Sequence, residues 1–188
     1  MYRIEKAAVI GAGTMGLGIA GQLANAGVEV LLLDIAGEGE HRNAVAERAL
    51  ERLLDERQPG LLHGDFLPRI RIGNIEDDME ALAEADWITE AVVERLDVKR
   101  ALYRQIDAVR KPGSIVSSNT STIPIALLLE GMPESFRREF AITHYFNPVR
   151  FMRLLELVRG EDTVPEVIDC LARFNEERMG KGIVVCND

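Results

Sequence analysis

The stretch KAAVIGAGTMGLGIAGQLANAGVEVLLLD, residues 6–34, decides the fold. KAAVIG (6–11) is a short apolar run that ends on glycine, as a buried strand does when a tight turn follows. TMGLGIAGQLANAG (14–27) is a small-residue helix closed by Gly27. VEVLLLD (28–34) is apolar without alternation, too short for a helix, and ends on an acid. Strand, glycine-rich turn, helix and strand in sequence make a βαβ unit, whose two strands run parallel. Strands that are apolar on both faces imply a sheet covered on both sides.

The turn itself reads Gly11-Ala12-Gly13-Thr14-Met15-Gly16, a G-x-G-x-x-G pattern. Alone this pattern is weak. Here a strand precedes it, a helix opens from it, and the next strand ends in Asp34, 18 residues after Gly16. Gly11 permits the tight turn, Gly13 lets the backbone approach a pyrophosphate, and Gly16 lets helix and strand pack closely. Thr14 and Met15 lie in the first helical turn, where unpaired N–H groups and the positive dipole end meet the phosphates. Asp34 is placed to accept hydrogen bonds from the adenosine ribose and to repel a 2′-phosphate, so the expected cofactor is NAD rather than NADP. Close packing alone is the competing reading of these glycines, and it is the one assigned to Gly18 and Gly21.

Working outward, strands and helices keep alternating. HRNAVAERALERLLDER (41–57) has Val45, Ala49, Leu53 and Leu54 at helical spacing. After a loop at 58–68 come the strand RIRIG (69–73), a short acidic helix near 76–84, and the strand DWITEAV (86–92). Further on lie a helix at 95–110, the strand SIVSSN (114–119), a helix at 123–132 and the strand FAITHYF (140–146). RLLELV (153–158), a helix at 165–179 and GIVVC (182–186) complete the chain. The pattern predicts one α/β domain over 1–188, with a doubly wound, mostly parallel sheet and additional C-terminal strands.

Bulk properties narrow the function. A formal net charge of −9 over 188 residues argues against nucleic acid and anionic membranes as partners. Cys170 and Cys186 form no metal or redox spacing, and no metal site is expected. The N-terminus lacks the unbroken apolar stretch of a signal peptide, and no apolar run reaches the roughly 18 residues of a membrane span. The expectation is a cytoplasmic chain.

A dinucleotide lies across the carboxyl ends of the strands where strand order reverses. Other chemistry-bearing residues should therefore sit at the ends of later strands. Glu90 and Glu94 follow the strand 86–92, Ser118-Asn119-Thr120-Ser121 closes 114–119, and His144 closes 140–146. His144 opens THYFNPVRFMRLLEL (143–157). Beside a nicotinamide it suits removal of an alcohol proton near neutral pH. The Asn147-Pro148 turn lets the next strand fold back and bring Glu156 against His144, where a carboxylate would fix the imidazole tautomer. Glu156, flanked by Leu154, Leu155, Leu157 and Val158, is expected in a buried strand. His41 and His63 read as surface residues.

GAGTMGLGIA, EAVVERLDVK (90–99), SSNTST (117–122) and THYFNPVRFMRLLEL resemble, in order and spacing, the NAD domain of the L-3-hydroxyacyl-CoA dehydrogenases. The resemblance covers essentially the whole chain. H-Y-F-N-P with a glutamate twelve residues beyond the histidine is its most specific part. It implies oxidation of a (3S)-hydroxyacyl-CoA to the 3-ketoacyl-CoA with NAD⁺, as in fatty-acid β-oxidation. Carried over by motif, His144 is the base and Glu156 its orienting carboxylate. Ser118 would hydrogen-bond the substrate's 3-oxygen and also line the cofactor, and Asn147 would lie near nicotinamide and substrate. Ala91, Glu94 and Lys99 would contribute to the cofactor site, the last two at the nicotinamide-side ribose. The resemblance also implies a further all-helical domain, absent from this chain, that supplies an asparagine on the thioester carbonyl, most of the acyl pocket and a homodimer interface. The region 58–68 lacks the lysine-containing arm that contacts CoA in other members. IEDDMEALAEADW (75–87) and KPGSIVSSNTS (111–121) are similar to the large bacterial members fused to an enoyl-CoA hydratase.

Two other readings remain. One is a different 3-hydroxy-acid dehydrogenase of the 6-phosphogluconate type, which uses a lysine base. The other is a non-catalytic NAD-binding protein of the same fold, such as the lambda-type lens crystallin.

Overall fold

The computed structural model describes residues 2–54 and 60–188. A single sheet of eight strands runs through it: β1 Lys6–Ile10, β2 Glu29–Asp34, β3 Ile70–Asn74, β4 Trp87–Glu90, β5 Ile115–Ser118, β6 Phe140–Tyr145, β7 Leu154–Arg159 and β8 Gly182–Asn187. Their spatial order is β3-β2-β1-β4-β5-β6-β7-β8. All neighbours are parallel except β6 and β7, so the last two strands run against the other six. The chain moves outward from β1 through β2 to β3, then returns to β4 on the other side of β1. That reversal opens a crevice at the carboxyl ends of β1 and β4.

Helices cover both faces. α1 Thr14–Asn25, α2 Ala44–Leu53 and α6 Pro165–Glu177 lie on one side, where Ile19, Leu23, Val9, Leu32, Leu171 and Phe174 share a core. α3 Leu96–Val109, α4 Ile125–Leu128 and α5 Glu134–Arg138 lie on the other, around Ile10, Leu33, Tyr103, Ile106 and Phe136. Alternate residues of β1 therefore feed opposite cores, which is why its sequence is apolar throughout. Gly18 and Gly21 do serve packing: an added Cβ would meet Val149 and Leu53 side chains, each at 2.9 Å.

Three helices differ from the sequence expectation. The helix expected at 41–57 starts at Ala44, because Gly37 N–H is drawn to Arg42 O and Gly39 turns with φ +68°. His41 thus precedes the helix; residues 55–57 lie outside the described residues. The acidic segment 76–84 forms only a 3₁₀ turn, Met79–Glu84. There Asn74 Oδ1 accepts the N–H groups of Glu76 and Asp77, while Asp78 Oδ2 accepts that of Asn74, and these local bonds compete with an α-helical start. The helix expected at 123–132 shortens to α4, with Gly131 at φ +78° beyond it, and after Pro133 the chain forms a separate, unexpected helix, α5. Within the expected loop, Gly64–Arg69 forms another 3₁₀ turn.

Candidate active site

The glycines of the first turn divide their work by available space. Gly11 has φ +101°, and a Cβ there would lie 2.7 Å from Ala91 O. A Cβ on Gly16 would fall 1.8 Å from Gly11 O. Strand β1, the turn and the start of α1 are thus clamped backbone to backbone. Gly13 has nothing within 4 Å of its would-be Cβ, so its side faces open space at the N-terminus of α1. The N–H groups of that first helical turn have no partner within the helix and point the same way. This is a cradle shaped for a phosphate.

Asp34 closes β2 beside it. Its Oδ2 accepts the Ala12 N–H at 2.5 Å and its Oδ1 accepts the Ile35 N–H at 2.6 Å. The carboxylate is thereby fixed to the glycine turn, and each oxygen keeps a second lone pair for a diol. A cavity of about 580 Å³ opens from Gly11, Gly13 and Asp34 towards Val92, Val93 and the α3 face. That face is Val98, Ala101, Leu102 and Gln105, an i, i+3, i+4, i+7 stripe. Ile35 and Val93 are each 62% exposed at its mouth, unusual for such apolar groups and suited to sandwiching a flat ring. An open phosphate cradle, an anchored carboxylate and an apolar slot fit an adenine dinucleotide. The adenine slot was missed in the sequence, although the α3 stripe is visible there.

Across the reversal point, β4 and β5 end in a buried polar network. Register places Ile10 beside Glu90, Glu90 beside Ser118, and Ser118 beside Ile142. Glu90, Lys99 and Ser118 are all buried. Lys99 Nζ donates to both Glu90 oxygens, at 2.7 and 3.1 Å, and lies 3.3 Å from Glu94 Oε2. Ser118 donates its hydroxyl proton to Glu90 Oε1 and accepts the Thr120 N–H at 3.1 Å. Burial pushes the Glu90 carboxyl above the ordinary range, with Lys99 and Ser118 pulling it back. Glu94 lies below the range: burial raises it, and the Thr120 hydroxyl and Lys99 outweigh that. Ser118 and Lys99 thus sit beneath the cleft, while Glu94, with a side chain 40% exposed, reaches its surface.

His144 and Glu156 are directly opposed across the antiparallel β6–β7 pair, with Nδ1 and Oε2 2.8 Å apart. Nε2 has no partner among the described residues, and the His144 ring packs on Phe146 at 4.5 Å between centroids. Glu156 lies in a central strand as expected but is not buried; its side chain is 38% exposed. The row His144–Glu156–Val184 crosses β6, β7 and β8 on one face, and Val184 is itself 48% exposed. α6 covers the opposite face, where Leu155 and Leu157 are buried.

The turn after His144 is held from below. A cis peptide joins Asn147 to Pro148, and Pro148 O accepts the N–H groups of Phe151 and Met152. Lys181, 4% exposed, donates to Val149 O and to Met152 O, the latter at 2.9 Å, and its Nζ stands 5.9 Å from the centre of the Tyr145 ring. Burial without a carboxylate pushes its pKa down to about 8. Tyr145 OH donates to Asn175 Oδ1, and Tyr145 N–H donates to Asn119 Oδ1 at 2.9 Å. Asn147 shares a smaller cavity of about 230 Å³ with Thr14, Leu17 and Arg52, so the turn reaches the phosphate cradle. Lys181 carries no sequence motif beyond its position between Gly180 and Gly182. His63, 67% exposed, precedes the 3₁₀ turn Gly64–Arg69, where its Nδ1 accepts the Asp65 N–H. Among the described residues no three His, Cys, Asp or Glu side chains could hold a metal ion, and no helix is long and apolar enough to cross a membrane.

Residues 6–188 match the family model described as "3-hydroxyacyl-CoA dehydrogenase, NAD binding domain". A probable 3-hydroxyacyl-CoA dehydrogenase of Deinococcus radiodurans is 46% identical over 187 residues, covering 99% of this chain and 54% of the relative. A putative fatty acid oxidation complex trifunctional enzyme of Rickettsia felis is 41% identical over 186 residues, covering 98% of this chain and 26% of the relative. The solved 3-hydroxybutyryl-CoA dehydrogenase of Escherichia coli superposes with a TM-score of 0.84 at 35% identity, over 98% of this chain and 38% of that one. The chain thus spans about half the length of the first relative and about a quarter of the second. It belongs to the 3-hydroxyacyl-CoA dehydrogenase family, as that family's NAD-binding domain.

Proposed function

We propose that this chain is the cofactor-binding and base-bearing part of an NAD-dependent (3S)-hydroxyacyl-CoA dehydrogenase. The observation that carries the reading is the 2.8 Å contact between His144 Nδ1 and Glu156 Oε2, at the same sheet edge as the glycine cradle. Bound NAD supplies the acceptor for the hydride leaving C3 of the substrate. Glu156 accepts the Nδ1 proton, so Nε2 is the basic nitrogen and takes the C3 hydroxyl proton as the hydride leaves. Glu156 then stabilises the imidazolium. Gly11, Gly13, Thr14, Met15 and Gly16 would hold the pyrophosphate, Asp34 the adenosine ribose, and Ala91, Glu94 and Asn147 the nicotinamide half. Ser118 and Lys99 take part from beneath: Ser118 donates its hydroxyl hydrogen bond to Glu90 and accepts the Thr120 N–H, so its remaining lone pair can only accept, which suits the substrate in its alcohol form.

The same reading gives the acyl pocket and homodimer contacts to a helical region outside these 188 residues, in keeping with relatives about two and four times as long. A cytoplasmic setting agrees with the free thiols of Cys170 and Cys186. The test is oxidation of NADH by a 3-ketoacyl-CoA, with wild-type protein and His144→Gln. Wild-type turnover, lost in the variant with NADH binding retained, is expected. NADH binding without turnover by the complete wild-type protein would make it a binding protein of the same fold.

A further inference from the structure

The side-chain charges under the nicotinamide half of the cleft do not cancel. Asp34 and the apolar slot fix the adenosine on the β2 side, so the rest of a dinucleotide must cross the glycine turn to lie over β4, β5 and β6. Val92 and Val93 line the adenosine slot, whereas Glu94 turns the other way, onto the loop after β5. There Glu94 Oε1 accepts the Thr120 and Thr122 hydroxyls and the Ser121 N–H. These donors are neutral. Lys99 is the one cation in the network; it donates to both oxygens of Glu90 and stands 3.3 Å from Glu94 Oε2, so a single ammonium serves two carboxylates. Glu90 accepts from Lys99 at both oxygens and from Ser118 at Oε1, donors that hold it as the carboxylate partner of Lys99 against its burial. One ammonium facing two carboxylates leaves a net negative cluster, and Glu94 is the member that reaches the cleft surface.

The oxidised nicotinamide ring is a cation and the reduced ring is neutral, while the rest of the dinucleotide keeps its charge. A fixed negative group beside the ring therefore acts on the difference between the two forms. We propose that Glu94, sharing the one ammonium of Lys99 with the buried Glu90, shifts the relative affinity of the cleft towards NAD⁺ over NADH. The inference rests on the cofactor reading above and adds a role that a ribose contact would not have. It also gives the site a matched pair of carboxylates. In the alcohol-oxidising direction two electrons and a proton leave C3 as hydride, and the hydroxyl proton passes to His144. Positive charge thereby leaves the ring beside Glu94 and appears on the imidazole beside Glu156.

The test is the ratio of dissociation constants for NAD⁺ and NADH, measured by calorimetry on wild type and Glu94→Gln. Glutamine keeps the size and an acceptor for Thr120 while removing the charge. The ratio Kd(NAD⁺)/Kd(NADH) should rise roughly three- to ten-fold, and less in high salt because the carboxylate is partly exposed. Thr122→Lys, which sets a cation beside an intact Glu94, should move the ratio in the same direction. A ratio unchanged in both variants overturns the proposal, even if both forms bind more weakly, since equal weakening is the mark of a contact or structural role. Failure of wild type to bind either form would instead sink the cofactor reading.

Discussion

At the scale of single residues, proton transfer and cofactor binding fall to different side chains. Glu156→Gln should lower turnover by on the order of a hundred-fold or more, because a neutral amide neither fixes the His144 tautomer nor stabilises the imidazolium. NADH affinity should stay within about two-fold, and a parallel collapse of binding would make Glu156 a structural residue. The facing of His144 and Glu156 was legible in the sequence because both ends of the contact are local: a strand, a proline turn and a returning strand separate the two residues. The Glu90–Lys99–Ser118 network was not. The family resemblance brings Lys99 to the nicotinamide-side ribose, and only the packed fold shows that it is buried on a carboxylate. Glu156's exposure was also beyond the sequence, since leucines on both sides of it in the chain belong to the other face of β7.

At the scale of elements, the β1–α1 turn predicts opposite outcomes for two similar substitutions. Gly16→Ala drives a methyl into Gly11 O and should cost on the order of 3 kcal/mol or prevent folding. Gly13→Ala meets no protein atom and occupies an allowed backbone region, φ −66°, so stability should change by less than about 1 kcal/mol. Its methyl points where the pyrophosphate must approach, and NADH affinity should fall at least about ten-fold. Urea unfolding and calorimetric titration of both variants check this; equal loss of stability would refute the assignment of space. The same physics explains which elements could be read. Strands β1 and β2 are unbroken apolar runs, and a glycine turn and a small-residue helix join them. The segments 76–84 and 123–132 carry helical composition, but Asn74, Gly131 and Pro133 impose local bonds and backbone angles that composition alone does not weigh.

At the scale of the whole molecule, the reversal at β1 and β4 and the antiparallel β6–β7 pair bring distant segments to one sheet edge, and Lys181 fastens the last strand beneath it. Its folded pKa of about 8 lies below the ordinary 10.5, so the unfolded chain binds the extra proton between those values. Stability should therefore rise with pH through this window, the penalty being full below about 8. Burial raises the Cys170 thiol and the Tyr145 hydroxyl, which lowers stability at higher pH, so the quantity to follow is the difference between wild type and Lys181→Met. That difference should grow in favour of wild type from about pH 8 to 9.5 in urea unfolding; a flat difference would mean that Lys181 is not held in a desolvated site. The central claim, that this chain folds into a cleft built for NAD, is tested most directly by calorimetric titration of the protein with NADH and then NADPH. The account predicts one site, with NADPH at least about ten-fold weaker because Asp34 opposes the 2′-phosphate. Equal binding of the two, or no binding of NADH by the folded protein, would contradict it.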